Sequence, residues 1–262
     1  MIEHKFKKKF GQNFIKDSTV INKIVDNANV DNDTLVIEIG PGSGALTRVL
    51  CTKAKNVLAY EIDTELKDFL NELKDVNTNL EVIFDDFLKR NVDEDIKKYQ
   101  YKKLYVVANL PYYITTPIIT KFIEDNIKLD KMVIMVQKEV ADRLTAKISS
   151  KEYGSLTVFL NYHFNIKKLF DVSRNVFVPR PNVDSSIVEL RNKDDKLCVK
   201  DIQKFYKLVK DSFRFKRKTL KNNLVGYDLD KVLSVLKTYN KDLTARAETL
   251  SLEIFVDISN NL

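Results

Sequence analysis

The stretch Glu38-Ile39-Gly40-Pro41-Gly42-Ser43-Gly44-Ala45-Leu46 narrows what this chain can fold into more than any other, because it sets three glycines between a strand-like run and a helical one. Residues 35–39 are short and apolar, as a buried strand is, while 45–54 places apolar residues at 45, 46, 49, 50 and 54 on one helical stripe. Glycines at such a turn let the backbone approach a ligand closely, and the start of the next helix offers unpaired N–H groups. A tight turn without a ligand satisfies the same residues. The following strand-like run, 57–61, ends in Glu61, which lies 21 residues beyond Gly40, where a carboxylate can accept both hydroxyls of a ribose. Together the two features point to an adenosine-containing cofactor. The spacing G-x-G-x-G departs from the dinucleotide fingerprint G-x-G-x-x-G and so disfavours a nicotinamide oxidoreductase.

The alternation continues along the chain. Residues 80–84, 104–108 and 132–137 read as strands, and 64–73 reads as a helix with Leu66, Phe69, Leu70 and Leu73 on one face. Helical 138–148 and 156–162 precede 165–172 and 185–190, a last pair of strands joined through a bend at Pro179 and Pro181. Strands alternating with helices are the pattern of an α/β sheet. After Arg191 the character changes: 192–196 is polar and charged, and 202–213, 218–224, 229–236 and 250–258 all read as helix. The expected division is an α/β domain over 1–191 and a helical domain over 192–262. The longest uninterrupted apolar runs, 104–108 and 132–136, have five residues each. A membrane span needs about 20, which excludes a transmembrane protein. The lysine-rich start has no apolar stretch of a secretory signal, and Cys51, Cys198, His4 and His163 are too few and too scattered for a disulfide scaffold or a zinc site. A cytoplasmic protein with no metal is expected.

Directly after 104–108 stands Asn109-Leu110-Pro111-Tyr112, which resembles the [DNS]-[PIL]-P-[YFW] motif of methyltransferases acting on planar exocyclic amines. The chemistry explains the residue types. The N6 lone pair of adenine is delocalised into the ring, so the amine attacks poorly until its two N–H bonds are held out of the conjugated geometry. The Asn109 side-chain oxygen and the Leu110 carbonyl can accept those two protons, Pro111 stiffens the turn, and Tyr112 can stack on the base. Asparagine is no base, so catalysis rests on positioning and electrostatics. A strand-to-helix turn capped by Thr116, with Pro117 at the first helical position, fits the same stretch. The E-x-G-x-G-x-G loop resembles that of the S-adenosylmethionine-dependent methyltransferases. Asp86 follows the third strand, where that class places an acid against the adenine amino group, although a helix N-cap satisfies Asp86 equally.

Across nearly its whole length the chain is similar to the ribosomal RNA adenine dimethyltransferases. Five ordered blocks carry the likeness: Lys9 to Phe14, Glu38 to Thr47, Asn109 to Pro117, Phe177-Val178-Pro179-Arg180-Pro181-Asn182-Val183-Asp184-Ser185, and Phe213 to Leu224. The resemblance implies a Rossmann-like class I methyltransferase fold, a seven-stranded mostly parallel sheet with a small C-terminal all-helical domain. It implies that Gln12, Asn13 and the backbone at Ile15 close over S-adenosylmethionine, that Gly40 and Gly42 flank its methionine part, that Glu61 holds the ribose, and that Asp86 meets the adenine. Asn109, which also borders the cofactor, and Leu110 would grip the target amine, with Tyr112 and Phe177 on the two faces of the flipped base. Ile15 replaces the usual Leu, and Phe87 stands where a small residue is common.

The formal charge of +7 is concentrated: residues 200–224 carry nine Lys and Arg against Asp201 and Asp211, and residues 1–16 carry five Lys against Glu3. By the resemblance, Lys7, Lys8, Lys9, Arg214, Lys216, Arg217, Lys218 and Lys221 bind rRNA phosphates. The lead Phe10 to Phe14, the Leu110 form of the tetrapeptide and the block Arg217 to Leu224 resemble the housekeeping branch of the family. The expected reaction is N6,N6-dimethylation of two adjacent adenosines in the 3′-terminal hairpin loop of 16S rRNA, in the immature small subunit, by a monomer. The alternatives are a 23S rRNA adenine methyltransferase conferring macrolide resistance, a DNA adenine methyltransferase, and a non-catalytic ribosome assembly factor.

Overall fold

The computed structural model describes residues 13–262. Its strands are β1 (Phe14–Ile15), β2 (Thr34–Ile39), β3 (Asn56–Glu61), β4 (Leu80–Phe84), β5 (Lys103–Asn109), β6 (Lys131–Gln137), β7 (Phe164–Val172), β8 (Phe177–Val178) and β9 (Ser185–Asn192). Seven of them form one sheet in the order β4-β3-β2-β5-β6-β9-β7. Strands β2 to β6 pair in parallel, with Ile39 opposite Tyr60 and Asn109 opposite Met135, and β9 runs antiparallel to β6. This is the seven-stranded, mostly parallel sheet that the resemblance implies. Chain order explains the site: β3 and β4 lie to one side of β2, and the chain then crosses to place β5 on the other. The reversal opens a crevice beyond the carboxyl ends of β2 and β5, where open α/β sheets bind ligands.

The core strands are buried on both faces, so β2 and β6 read as largely apolar runs and not as alternating ones, with Glu38 the charged exception in β2. Helices α1 (Ser18–Ala28), α2 (Ala45–Cys51) and α3 (Lys67–Val76) follow, and Ile24, Val25, Leu50 and Leu70 pack with Val36, Val57 and Ala59 in one hydrophobic cluster. Helix α1 has no counterpart among the expected elements, although Ile21, Ile24, Val25 and Ala28 form its buried stripe and Asp17 caps it by accepting the Thr19 N–H at 2.8 Å. A short helix, α4 (Val92–Ile96), precedes β5. Helix α5 (Thr115–Glu124) begins one residue before the expected Thr116 cap, after a 3₁₀ turn over Tyr112–Ile114, so Pro117 is its third residue and not its first. Helix α6 (Lys138–Leu144) stops short of the expected 138–148.

The residues divide into two compact units, one running up to Ala141 and including Lys167–Asn192, the other made of Asp142–Ile166 and Lys193–Leu262. The segment Asp142–Ile166, which the sequence reading groups with the first 191 residues, clusters with the helical unit because of α7 (Ser155–His163): Val158 and Tyr162 bury against Phe205, Leu208 and Phe255. The remaining helices of that unit are α8 (Ile202–Ser212), α9 (Leu220–Asn223), α10 (Leu229–Thr238) and α11 (Leu252–Asn261). Of the expected helix 218–224 only α9 forms. No helix among the described residues is long and apolar enough to cross a membrane.

Candidate active site

A cavity of about 310 Å³ lies at the carboxyl ends of β2, β3, β4 and β5. The loop after β2 builds its floor. Gly40, Gly42 and Gly44 all have left-handed backbone, with φ of 76°, 53° and 64°, a region that costs other residues strain. A Cβ on Gly42 would overlap the Phe14 ring, whereas one on Gly40 would meet no protein atom within 4 Å, so the space beside Gly40 is open. The Gly40 N–H donates to the Tyr60 carbonyl at 2.9 Å, tying the loop to the end of β3.

Two buried carboxylates border this loop. Glu61, at the tip of β3, accepts the Gly42 N–H at 3.1 Å with Oε2 and the Asp63 N–H at 2.9 Å with Oε1. Burial raises its pKa above the usual carboxylate value despite these two bonds. Glu38, at the end of β2, is 2% exposed, and its Oε2 has no hydrogen-bond partner. Burial pushes its pKa up to about 8, helped by the nearby charge of Glu61. Glu38 is absent from the expected site residues although it opens the glycine motif. A buried carboxylate oxygen left without a partner at a cavity wall is the kind of group a bound polar or cationic ligand satisfies.

The third wall follows β4. Asp86 lines the cavity, and its Oδ1 accepts the Leu88 N–H at 3.1 Å, so it caps the 3₁₀ turn at Phe87–Lys89. The cap and a ligand contact are compatible, since a carboxylate offers more than one lone pair. Phe87 turns into the wall, edge-on to Tyr60 with ring centres 5.1 Å apart and 5.5 Å from Phe122. Arg90 braces this loop from behind: it donates to Asp95 through Nε at 3.1 Å and Nη2 at 2.5 Å and reaches Asp85 at 3.4 Å, while the Tyr60 hydroxyl donates to Asp95 at 3.0 Å.

The tetrapeptide forms the mouth. The Asn109 Nδ2 donates to the Asn13 carbonyl at 2.9 Å, which fixes the amide plane and leaves Oδ1, in the same plane, facing away from this contact. Leu110 is buried, and its N–H donates to the Met135 carbonyl at 3.3 Å. Pro111 has φ −57° and ψ 128°, and its carbonyl accepts the Ile114 N–H at 3.2 Å. The Tyr112 hydroxyl is hydrogen-bonded to Ser185 Oγ at 2.9 Å, and burial raises its pKa. Tyr113, 58% exposed, also borders the cavity.

Asn13, Ile15, Gly40, Gly42, Glu61, Asp86, Asn109, Leu110, Pro111 and Tyr112 thus meet around one cavity. Phe177 does not join them. It lies on β8, opposite Ile15 of β1, and its ring is 2% exposed in the core beside Ile187, so here it presents no free face for a base. Gln12, Lys7, Lys8 and Lys9 lie outside the described residues. Arg214, Lys216, Arg217, Lys218 and Lys221 are all solvent-exposed, the first four between α8 and α9. Phe14, Ile62 and Asp85 line the cavity without having been expected there; only the β1 strand pairing brings Phe14 to Gly42.

Residues 3–262 match a family model described as ribosomal RNA adenine dimethylase. The ribosomal RNA small subunit methyltransferase A of Bacillus licheniformis is 44% identical over 268 residues, covering 98% of this chain and 91% of that protein. Among solved structures, a dimethyladenosine transferase from Plasmodium falciparum matches with TM-score 0.79 at 27% identity, covering 94% of this chain and 95% of that one. The 23S rRNA methyltransferase ErmE matches with TM-score 0.76 at 27% identity, covering 95% and 99%.

Proposed function

Since the chain belongs to the ribosomal RNA adenine dimethylase family, we propose that its cavity holds S-adenosylmethionine over the glycine loop and the target adenine at the mouth. The protein is an rRNA adenine dimethyltransferase, and its likeness to small-subunit methyltransferases supports small-subunit rRNA as the substrate. The observation that carries the reading is that one cavity gathers the left-handed glycines, Glu61 and Asp86 with the Asn109-to-Tyr112 turn. The residues present fit the cofactor: Glu61 retains lone pairs for the ribose, Asp86 for the adenine amine, and the unpartnered Glu38 oxygen suits a cationic end near Gly40.

When bound, S-adenosylmethionine supplies an electrophilic methyl group on a sulfonium. The chain's own task is to present an amine to it. Asn109 Oδ1, aimed by the bond to Asn13, accepts a hydrogen bond from one N6–H, and the Leu110 carbonyl, on a backbone pinned to Met135, accepts one from the other. Held this way, N6 loses conjugation with the ring and gains a directed lone pair. Tyr112, anchored on Ser185, stacks on the base, which must leave its own stack to enter. No residue here need be a strong base, because N6 becomes acidic once it carries the methyl group and its proton then passes to solvent. For Phe177 to contact the base, the β1–β8 pair must shift to expose its ring.

The finer reading is dimethylation of two adjacent adenosines in the 3′-terminal hairpin loop of 16S rRNA, by a monomer acting in the cytoplasm on immature small subunits. Arg214, Lys216, Arg217, Lys218 and Lys221 of the helical domain, with Lys7, Lys8 and Lys9, hold the rRNA through its phosphates. Incubating the protein and labelled S-adenosylmethionine with unmethylated small and large subunits tests the choice of substrate. Label in small-subunit RNA alone is expected; label in large-subunit RNA, with macrolide tolerance on expression, would transfer the protein to the resistance branch.

A further inference from the structure

Between α8 and α9, one aromatic residue stands among cations. Phe215 is 54% exposed and is flanked by Arg214, Lys216, Arg217 and Lys218, all exposed. Lone apolar side chains are common on protein surfaces and need no account by themselves. Phe215 differs in how it is held. Asn223, 7% exposed at the end of α9, reaches under the loop: its Oδ1 accepts the Phe215 N–H at 3.1 Å, and its Nδ2 donates to the carbonyls of Ser212 at 2.8 Å and Phe215 at 3.2 Å, with that of Lys218 at 3.4 Å. Both main-chain polar groups of Phe215 are therefore bound to one buried side chain. Phe213, two residues earlier, turns the other way and packs against Tyr153 and Phe255, with ring centres 6.0 and 5.8 Å apart. The core is thus filled by Phe213, and the clamp keeps Phe215 outside it.

The cations complete the arrangement. The Arg214 guanidinium sits 5.4 Å from the Phe215 ring centre, and the Lys216 ammonium donates to the Lys151 carbonyl, which ties down the loop tip. Arg217 and Lys218 follow these anchored residues and are exposed. An outward aromatic ring on a pinned backbone, beside exposed cations, is the combination that binds single-stranded nucleic acid, because every base has a π-face and every nucleotide a phosphate. Holding the backbone in place beforehand removes part of the ordering cost from binding.

We propose that Phe215 is a stacking platform for an unpaired nucleobase of the rRNA, separate from the target adenine, with Arg217 and Lys218 on the neighbouring phosphates. The proposal rests on the rRNA methyltransferase reading. It separates two kinds of contact within one loop: a salt-insensitive one at the ring and a salt-sensitive one at the cations.

The chain has no tryptophan, so Phe215→Trp installs a single reporter. Titrating the full-length Phe215→Trp protein with unmethylated small-subunit rRNA should quench or shift its emission while affinity is kept. Phe215→Ala and Phe215→Leu should each weaken rRNA binding about tenfold, a typical loss for one stacked base, with an unchanged slope of log K against log salt and unchanged S-adenosylmethionine binding. Arg217→Ala with Lys218→Ala should instead flatten that slope by about 1.4 to 1.8. The proposal is overturned if Phe215→Leu binds rRNA like the parent, which would mean apolar contact without stacking, or if Phe215→Ala does so. In either case methylation by the parent protein would leave the enzyme reading standing. If the parent itself neither binds nor methylates rRNA while binding S-adenosylmethionine, the enzyme reading fails and takes this proposal with it.

Discussion

The Glu61 carboxylate holds the glycine loop by the Gly42 N–H, 3.1 Å away, while its other oxygen accepts the Asp63 N–H at 2.9 Å, so one buried side chain joins the ends of β2 and β3. The acid 21 residues beyond Gly40, which we propose holds the ribose, is thus also a structural tie for the loop beside it.

Glu61→Gln should show both roles at once. A glutamine sets an N–H₂ against one of the two backbone N–H donors, leaving a buried donor unsatisfied at a cost of about 1–3 kcal/mol. Affinity for S-adenosylmethionine, read by calorimetry, should fall roughly tenfold to a hundredfold. Unchanged affinity would show that the carboxylate is not part of the binding wall.

Glu38 gives the cofactor-free protein a particular pH response. Its folded pKa of about 8 lies above the ordinary 4.5, so between those values the folded state keeps a proton that the unfolded state has lost. Its contribution to stability is therefore full below about pH 4.5 and declines as pH rises to about 8, by at most about 1.4 kcal/mol per pH unit. Glu38→Gln removes this term, so thermal melts should show the variant gaining on the parent from pH 5 towards 8. Parallel curves would place the Glu38 proton elsewhere.

Asn109→Ala removes the proposed acceptor for the target amine but leaves the glycine loop and Glu61 in place. Turnover should drop about a hundredfold or more, the scale of losing one preorganised polar contact to the reacting group. Cofactor binding should change little, although the bond to Asn13 is lost. Equal loss of binding and turnover would make Asn109 a structural residue.

Tyr112 and Ser185 should be coupled. Tyr112→Phe keeps the ring and gives up the 2.9 Å bond, costing about 0.5–1.5 kcal/mol of stability with most turnover retained. Ser185→Ala should cost a similar amount, and the double variant little more than either. Tyr112→Ala loses the stacking ring, and turnover should fall at least tenfold. Equal activity in the Phe and Ala variants would exclude stacking at this position.

Much of this architecture is legible in the residue order, for a physical reason. Parallel strands covered on both faces are largely apolar, so β2, β5 and β6 stand out as short apolar runs before Gly40, Asn109 and Lys138, with Glu38 the one charge inside β2. Helix α1 is equally legible in its Ile21, Ile24, Val25 and Ala28 stripe, close behind the lysine-rich lead. Other features depend on contacts that no local pattern announces. The pairing of Ile15 with Phe177 joins two-residue strands far apart in the chain, and it decides that Phe177 is buried and that Phe14 meets Gly42. Asn223 reads as one polar residue in a basic block until the fold places it beneath Phe215. Glu38 was in plain view as the first residue of the glycine motif; only burial, which sequence does not give, marks its carboxylate as unusual.

We propose that one cavity brings S-adenosylmethionine and a loop adenine together for two successive transfers to each target. Product analysis tests it most directly. Small subunits lacking the modification would be incubated with the protein and S-adenosylmethionine, and their rRNA digested and analysed by mass spectrometry. The account predicts N6,N6-dimethyladenosine at two adjacent positions near the 3′ end, and its loss with Asn109→Ala. A protein that binds S-adenosylmethionine yet leaves those adenosines unmodified would contradict it.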